Sequence, residues 1–234
     1  MRRLVRGFWG PREESVEGLA GRWAATLEQL TRLLPQADLP ATWDVVRASG
    51  PATPVNAERS ALLGALTAAR AADDWSEGTG IALRLVAAGA PGWEIEVSGL
   101  AGGTPEFLLQ SLVIGIRTPA DVELPGGELL AVLAEIWAPD FGDLTDDDVM
   151  DALEDEAGYE VGDPSVGWAG YLSAARAGLL PDDLTVPRKE VRGGGTLLDI
   201  APPGDTAPVV RVYERLRTAG ALQPLPRPMD RATL

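Results

Sequence analysis

The side chains able to do chemistry in this chain are carboxylates, hydroxyls, arginines and one lysine, Lys189. The 234 residues contain no cysteine and no histidine. That inventory removes disulfides, thiol nucleophiles and thiolate metal sites. It also removes the usual general base and the commonest zinc and iron ligand. A Ser-His-Asp triad cannot be assembled. Carboxylates alone can run glycosidase-type hydrolysis, so the inventory disfavours an enzyme without forbidding one.

Three local patterns invite a chemical reading, and each fails on spacing. Gly193-Gly194-Gly195 is followed by an apolar run and not by Lys-Ser or Lys-Thr, so it suits a turn better than a phosphate cradle. A calcium loop starting at Asp140 would need acidic or amide side chains where Gly142 and Leu144 stand. Asp182 with Glu190-Val191-Arg192 approximates the Asp…Glu-x-Lys set of metal-dependent nucleases, but Arg192 holds its proton where a lysine is wanted. The expectation is a protein without catalytic residues, cofactor or metal.

Charge is the next signal. The net charge is -15. Between Thr118 and Ala175 there are fifteen Asp and Glu and no Lys or Arg, while the rest of the chain holds twenty of each sign. The densest part runs from Asp140 to Glu156. One reading is a solvated face that keeps the protein soluble. The other is an electronegative patch that steers a basic partner, with Asp140, Asp143, Asp146, Asp147, Asp151, Glu154 and Asp155 as contact residues. Direct binding to nucleic acid is disfavoured, because phosphate demands the opposite sign. Of the seven tryptophans, Trp23 and Trp93 fall on inward faces by period, and Trp9 ends an apolar strand and is expected to be structural. Trp43 and Trp75 fall in irregular segments, where they suit interface anchors.

The elements that must position these residues follow from periodicity. Leu4 to Trp9 reads as a strand. A helix is expected from Gly10-Pro11 to about Leu34, with Leu19, Trp23, Leu27 and Leu30 on its buried stripe. Thr42-Trp43 suits a short strand or a buried loop. Asn56 can cap a second helix to about Ala72. Ile81, Leu83 and Leu85 alternate, as do Trp93, Ile95 and Val97 beyond a Pro-Gly turn, and Phe107 to Arg117 gives a third run. Together they predict an antiparallel meander. Helices are expected over Glu128 to Trp137, from Thr145 onward with Asp148 completing a capping box, and over Pro208 to Leu216. Later strands are expected over Val166 to Ser173 and Gly195 to Ala201. The sum is one α+β domain over residues 1–222, a largely antiparallel sheet against several helices, with 223–234 as a loose tail. Arg6 interrupts the first apolar stretch and no apolar run is long enough to span a membrane, so a cytoplasmic location is expected.

Phe8-Trp9-Gly10-Pro11-Arg12-Glu13-Glu14-Ser15, then the amphipathic stretch and Trp43, resembles the opening of the immunity protein 52 family. Gly167-Trp168-Ala169-Gly170-Tyr171-Leu172-Ser173 and Gly194-Gly195-Thr196-Leu197 resemble that family's C-terminal strands. The resemblance implies an α+β immunity protein, encoded beside a bacterial polymorphic toxin, that binds a cognate toxin of restriction-endonuclease-like fold. It implies no catalytic residues, and it implies that Trp9, Gly10, Pro11, Arg12, Ser15, Trp168 and Tyr171 serve the fold. Two other classes compete: a carboxylate-dependent hydrolase, and an adaptor or chaperone of a secretion pathway.

Overall fold

A computed structural model describes residues 2–71, 76, 78–119 and 122–234. The strands among them are β1 (Arg2–Trp9), β2 (Thr42–Val45), β3 (Thr53–Asn56), β4 (Ile81–Ala88), β5 (Glu94–Ala101), β6 (Gln110–Arg117), β7 (Phe141–Thr145), β8 (Ala169–Leu172), β9 (Arg188–Glu190) and β10 (Thr196–Asp199). They form one ten-stranded sheet in the order β3-β2-β4-β5-β6-β1-β7-β8-β10-β9. Every strand pairing is antiparallel. The fold is α+β in a single domain, and the expected meander is β4-β5-β6. The N-terminal strand lies in the middle, paired with β6 on one side and β7 on the other.

The helices are α1 (Val16–Leu33), α2 (Arg59–Arg70), α3 (Gly126–Trp137), α4 (Asp147–Ala157), the single turn α5 (Ala174–Ala177) and α6 (Thr206–Thr218). Period two along β1 divides the two faces of the sheet. Val5, Gly7 and Trp9 turn toward α1 and α3 and are buried. There Trp137 stacks on Trp9 at 5.7 Å and meets Trp23 of α1 edge-on at 5.9 Å. The Trp137 indole N–H donates to Thr26 at 2.9 Å, so this large side chain is buried without losing its polar contact. Arg6 and Phe8 face the other way, toward Asp143, Phe141 and the α4 side chain Met150.

Several local expectations change. The segment after Gly10-Pro11 is a loop, and α1 begins only after Ser15, whose hydroxyl accepts from Gly18 N at 3.1 Å. Asn56 ends β3, and α2 starts three residues later. Phe107 and Leu108 are exposed in the loop before β6. Thr145 closes a strand that periodicity did not reveal, and Asp146 is the true cap of α4, accepting from Val149 N at 3.1 Å.

The tail is not loose. Leu225 and Met229 are buried. Met229 N donates to Glu106 O at 2.7 Å, and Gly10 N donates to Ala232 O at 2.9 Å. Three prolines remove backbone donors between 224 and 234, but Met229 N, Ala232 O and Leu234 N find partners far away in sequence. Among the described residues, no helix is long and apolar enough to cross a membrane.

Candidate protein interface

The acidic stretch splits into an inner and an outer set. Asp140 and Asp143 have no exposed side-chain surface. Asp140 pairs with Arg176, Nη2 to Oδ2 at 2.7 Å and Nε to Oδ2 at 2.8 Å. Its second oxygen accepts from Ser173 Oγ at 2.9 Å and from Leu234 N at 3.1 Å. Arg176 donates onward to the carbonyls of Ala221 and Gln223 at 2.8 and 2.9 Å. One buried ion pair thus ties β7, α5 and the tail together. Asp143 receives both arms of Arg6, at 2.8 and 2.7 Å, and the Ser165 hydroxyl at 2.7 Å. Fork-to-carboxylate geometry of this kind is among the stronger protein contacts. Asp146 is buried at the start of α4, and burial pushes its carboxyl above the ordinary range, with Asp148 and Asp147 adding to the shift against the lowering pull of the Val149 N–H and Arg3.

Asp140, Asp143 and Asp146 are therefore corrected from contact residues to interior ones. Their partners are arginines and donors distant in sequence, which a linear charge count cannot see. Trp43 is corrected as well: it is 1% exposed, packed in the core on β2. Trp75 lies outside the described residues.

The outer set is a different object. Asp147, Asp148, Asp151, Glu154, Asp155 and Glu156 are all exposed on α4, whose other side buries Val149, Leu153 and Ala157. None of the six makes an ion pair among the described residues. Asp147 and Asp148 in the first turn suit the positive end of the helix dipole, but the rest of the arrangement opposes helix stability. Asp147, Asp151 and Asp155 are like-charge neighbours at i, i+4, and Glu154, Asp155 and Glu156 sit at the negative end of the helix dipole. One compensating contact comes from α6: Arg217 Nη1 donates to the terminal carbonyl of Ala157 at 2.9 Å. Gly158, with φ 62°, completes the cap.

The motif residues serve the frame behind that helix. Arg12 lies over the Trp9 ring at 4.8 Å and pairs with Glu14 at 2.8 Å. A Cβ at Gly10 would fall on the Arg231 carbonyl, so glycine is what lets the tail close over the first strand. A Cβ at Gly195 would fall on the Tyr171 ring, which joins the two C-terminal motif segments physically. Trp168 is 2% exposed and Tyr171 5%. Pro11 is half-buried in the loop before α1.

A groove of about 1170 Å³ runs between the end of α1, α3 and the β9–β10 hairpin. Its walls carry both signs, with Glu123, Glu128 and Glu135 beside Arg32, Arg188 and Lys189. Among the described residues no three acidic side chains converge as metal ligands.

No family model matches the sequence, and no curated protein matches it. The likeness to immunity protein 52 rests on the motif residues alone. In structure the chain is similar to the Pseudomonas aeruginosa T6SS (type VI secretion system) protein PA0821. The TM-score is 0.54 at 15% identity, over 95% of this chain and 73% of that one. At that identity the likeness shows a shared fold.

Proposed function

We propose that the protein is a cytoplasmic immunity protein. It binds a cognate bacterial toxin of restriction-endonuclease-like fold and neutralises it stoichiometrically, without catalysis. The observation that carries this reading is the outer face of α4: six carboxylates with no ion-pair partner among the described residues, three of them crowded at the negative end of the helix. A merely solubilising surface would gain as much from interspersed signs, without the like-charge cost. A nuclease needs a positive cleft for its phosphates, and a helix edged with carboxylates has the opposite potential. The T6SS name of the structural neighbour agrees with a role beside a secretion system.

The test is co-expression with the product of the neighbouring gene, followed by purification and binding kinetics. The expected result is restored growth and a one-to-one complex. Changing Asp147, Asp151, Glu154 and Asp155 to Asn or Gln should slow association at low salt and flatten its salt dependence, since screening acts over ~8 Å at physiological ionic strength. Absence of both complex and protection rejects the reading.

A further inference from the structure

We infer that the toxin-binding surface extends past the end of α4 onto an apolar edge formed by Val161, Phe107 and Leu108, and that this edge supplies the binding grip while α4 supplies the attraction. This rests on the function proposed above. Among the described residues only four large hydrophobic side chains are exposed: Phe107 at 63%, Leu108 at 51%, Val161 at 90% and Leu179 at 39%. The chain neighbours of three of the four line one small cleft. Leu109, which follows Phe107 and Leu108, lines it from one loop, and Gly162, which follows Val161, lines it from another, with Pro224 and Met229 of the tail between.

Both loops are held in place. Asp163 N donates to Glu160 O at 3.0 Å, and Gly162 has φ 101°, the positive value that the third position of a type II turn requires. Val161 is therefore presented at the apex of a fixed turn, four residues beyond the end of α4. The loop carrying Phe107 is pinned by Met229 N to Glu106 O at 2.7 Å. A valine almost wholly in water on a rigid turn gains nothing for the fold, and pre-ordered apolar side chains lose little freedom on binding. Glu106, Glu160 and Asp163 flank them in the chain and α4 ends four residues before Val161; set against Arg227 in the cleft lining, this acidic excess fits a basic partner whose contact surface has an apolar centre.

The experiment uses the purified product of the neighbouring gene as probe. Val161→Ser, Phe107→Ser and Leu108→Ser are combined in the full chain, with Leu179→Ser as a control elsewhere. Melting checks that the exposed changes leave the fold intact. The triple variant should weaken binding at least tenfold, through faster dissociation, with the salt dependence of association unchanged. The α4 variant should show the reverse pattern, and Leu179→Ser should bind like the wild type. Wild-type binding with a triple variant within twofold of it overturns this inference and leaves the proposed function standing. Absence of wild-type binding overturns both. A concentration-dependent dimer of the free protein, lost in the triple variant, would assign the edge to a second copy instead.

Discussion

Replacing Asp140 with alanine separates the inner carboxylates from the outer ones. Neither side chain of the Asp140–Arg176 pair is exposed, and the guanidinium lies 2.7 Å from its acceptor. Without the carboxylate, Arg176 stays charged in the interior with only the carbonyls of Ala221 and Gln223 as partners. Removing one member of such a pair costs about 3–5 kcal/mol, most of it the uncompensated buried charge. For a chain of this length each kcal/mol moves the midpoint by ~2–4 °C, so a fall of roughly 6–20 °C is expected. The tail should become more open to proteolysis, because Leu234 N loses its acceptor and Arg176, which holds Ala221 and Gln223, loses the carboxylate that fixes it. The combined Asp140→Leu, Arg176→Met variant should be less damaged than the two single changes summed, by more than about 1 kcal/mol. Thermal and urea unfolding measure all of this. An Asp140→Ala protein that melts within ~2 °C of wild type, yet associates with the toxin as slowly as the α4 variant, would refute the reasoning and put Asp140 on the surface.

Asp146 gives a pH test. Burial raises its folded pKa above the unfolded value, so the folded state takes up the proton first and stability from this group grows as pH falls toward ~3.9, and is absent well above the folded pKa. Asp146→Asn keeps the cap, so wild type should gain stability relative to that variant between pH 7 and 4; a flat difference contradicts the assignment. Asp146→Ala should cost ~1 kcal/mol at neutral pH. Trp23→Ala and Trp43→Ala, at 2% and 1% exposure, should each cost ~3–5 kcal/mol and impair inhibition only through unfolding. A Trp43 variant with wild-type melting and no toxin binding would restore the interface reading. At Gly167 a Cβ would strike the Leu144 carbonyl oxygen, which already accepts from Trp168 N at 2.9 Å, so Gly167→Ala should lower the urea midpoint steeply. Gly127 opens on empty space within α3, and alanine there should be tolerated or mildly stabilising.

What the sequence made legible is what depends on neighbours in the chain. The alternation in β4 and β5 and the stripe on α1 exist in the residues themselves, so they survive in the structure. Strand β7 was hidden because Asp143 breaks its apolar pattern. The residue that makes this aspartate acceptable is Arg6, 137 positions away, and no local window contains both. The tail failed for the same reason: its proline content reads as disorder, while its anchors are Arg176, Gly10 and Glu106. The start of α1 failed on a local point. Pro11 is permitted in a first helical turn but does not compel one, and Ser15 offered a better cap four residues later.

The same division decides how the net charge should be interpreted. Three of the nine acids from Asp140 to Glu156 are interior, so they hold structure together and contribute little to what a partner sees. The six that remain share one helix, and their spacing is set by its pitch: Asp147, Asp151 and Asp155 lie one turn apart along the exposed side. A charge run in sequence becomes a line of charge about 12 Å long by the rise of the helix, fixed by the buried stripe of Val149 and Leu153, by packing against α6 and by Arg217 at its far end. Fixity matters because carboxylates on a mobile loop lose freedom when a partner orders them, whereas these are ordered already. Arg217 therefore tests the link between frame and function: with Arg217→Ala the α4 C-terminus should fray, and toxin association should slow although every acidic residue is still present. Hydrogen exchange at the backbone amides of residues 154–158 reads the fraying directly. Faster exchange there with an unchanged association rate would show that the line of charge needs no fixed geometry.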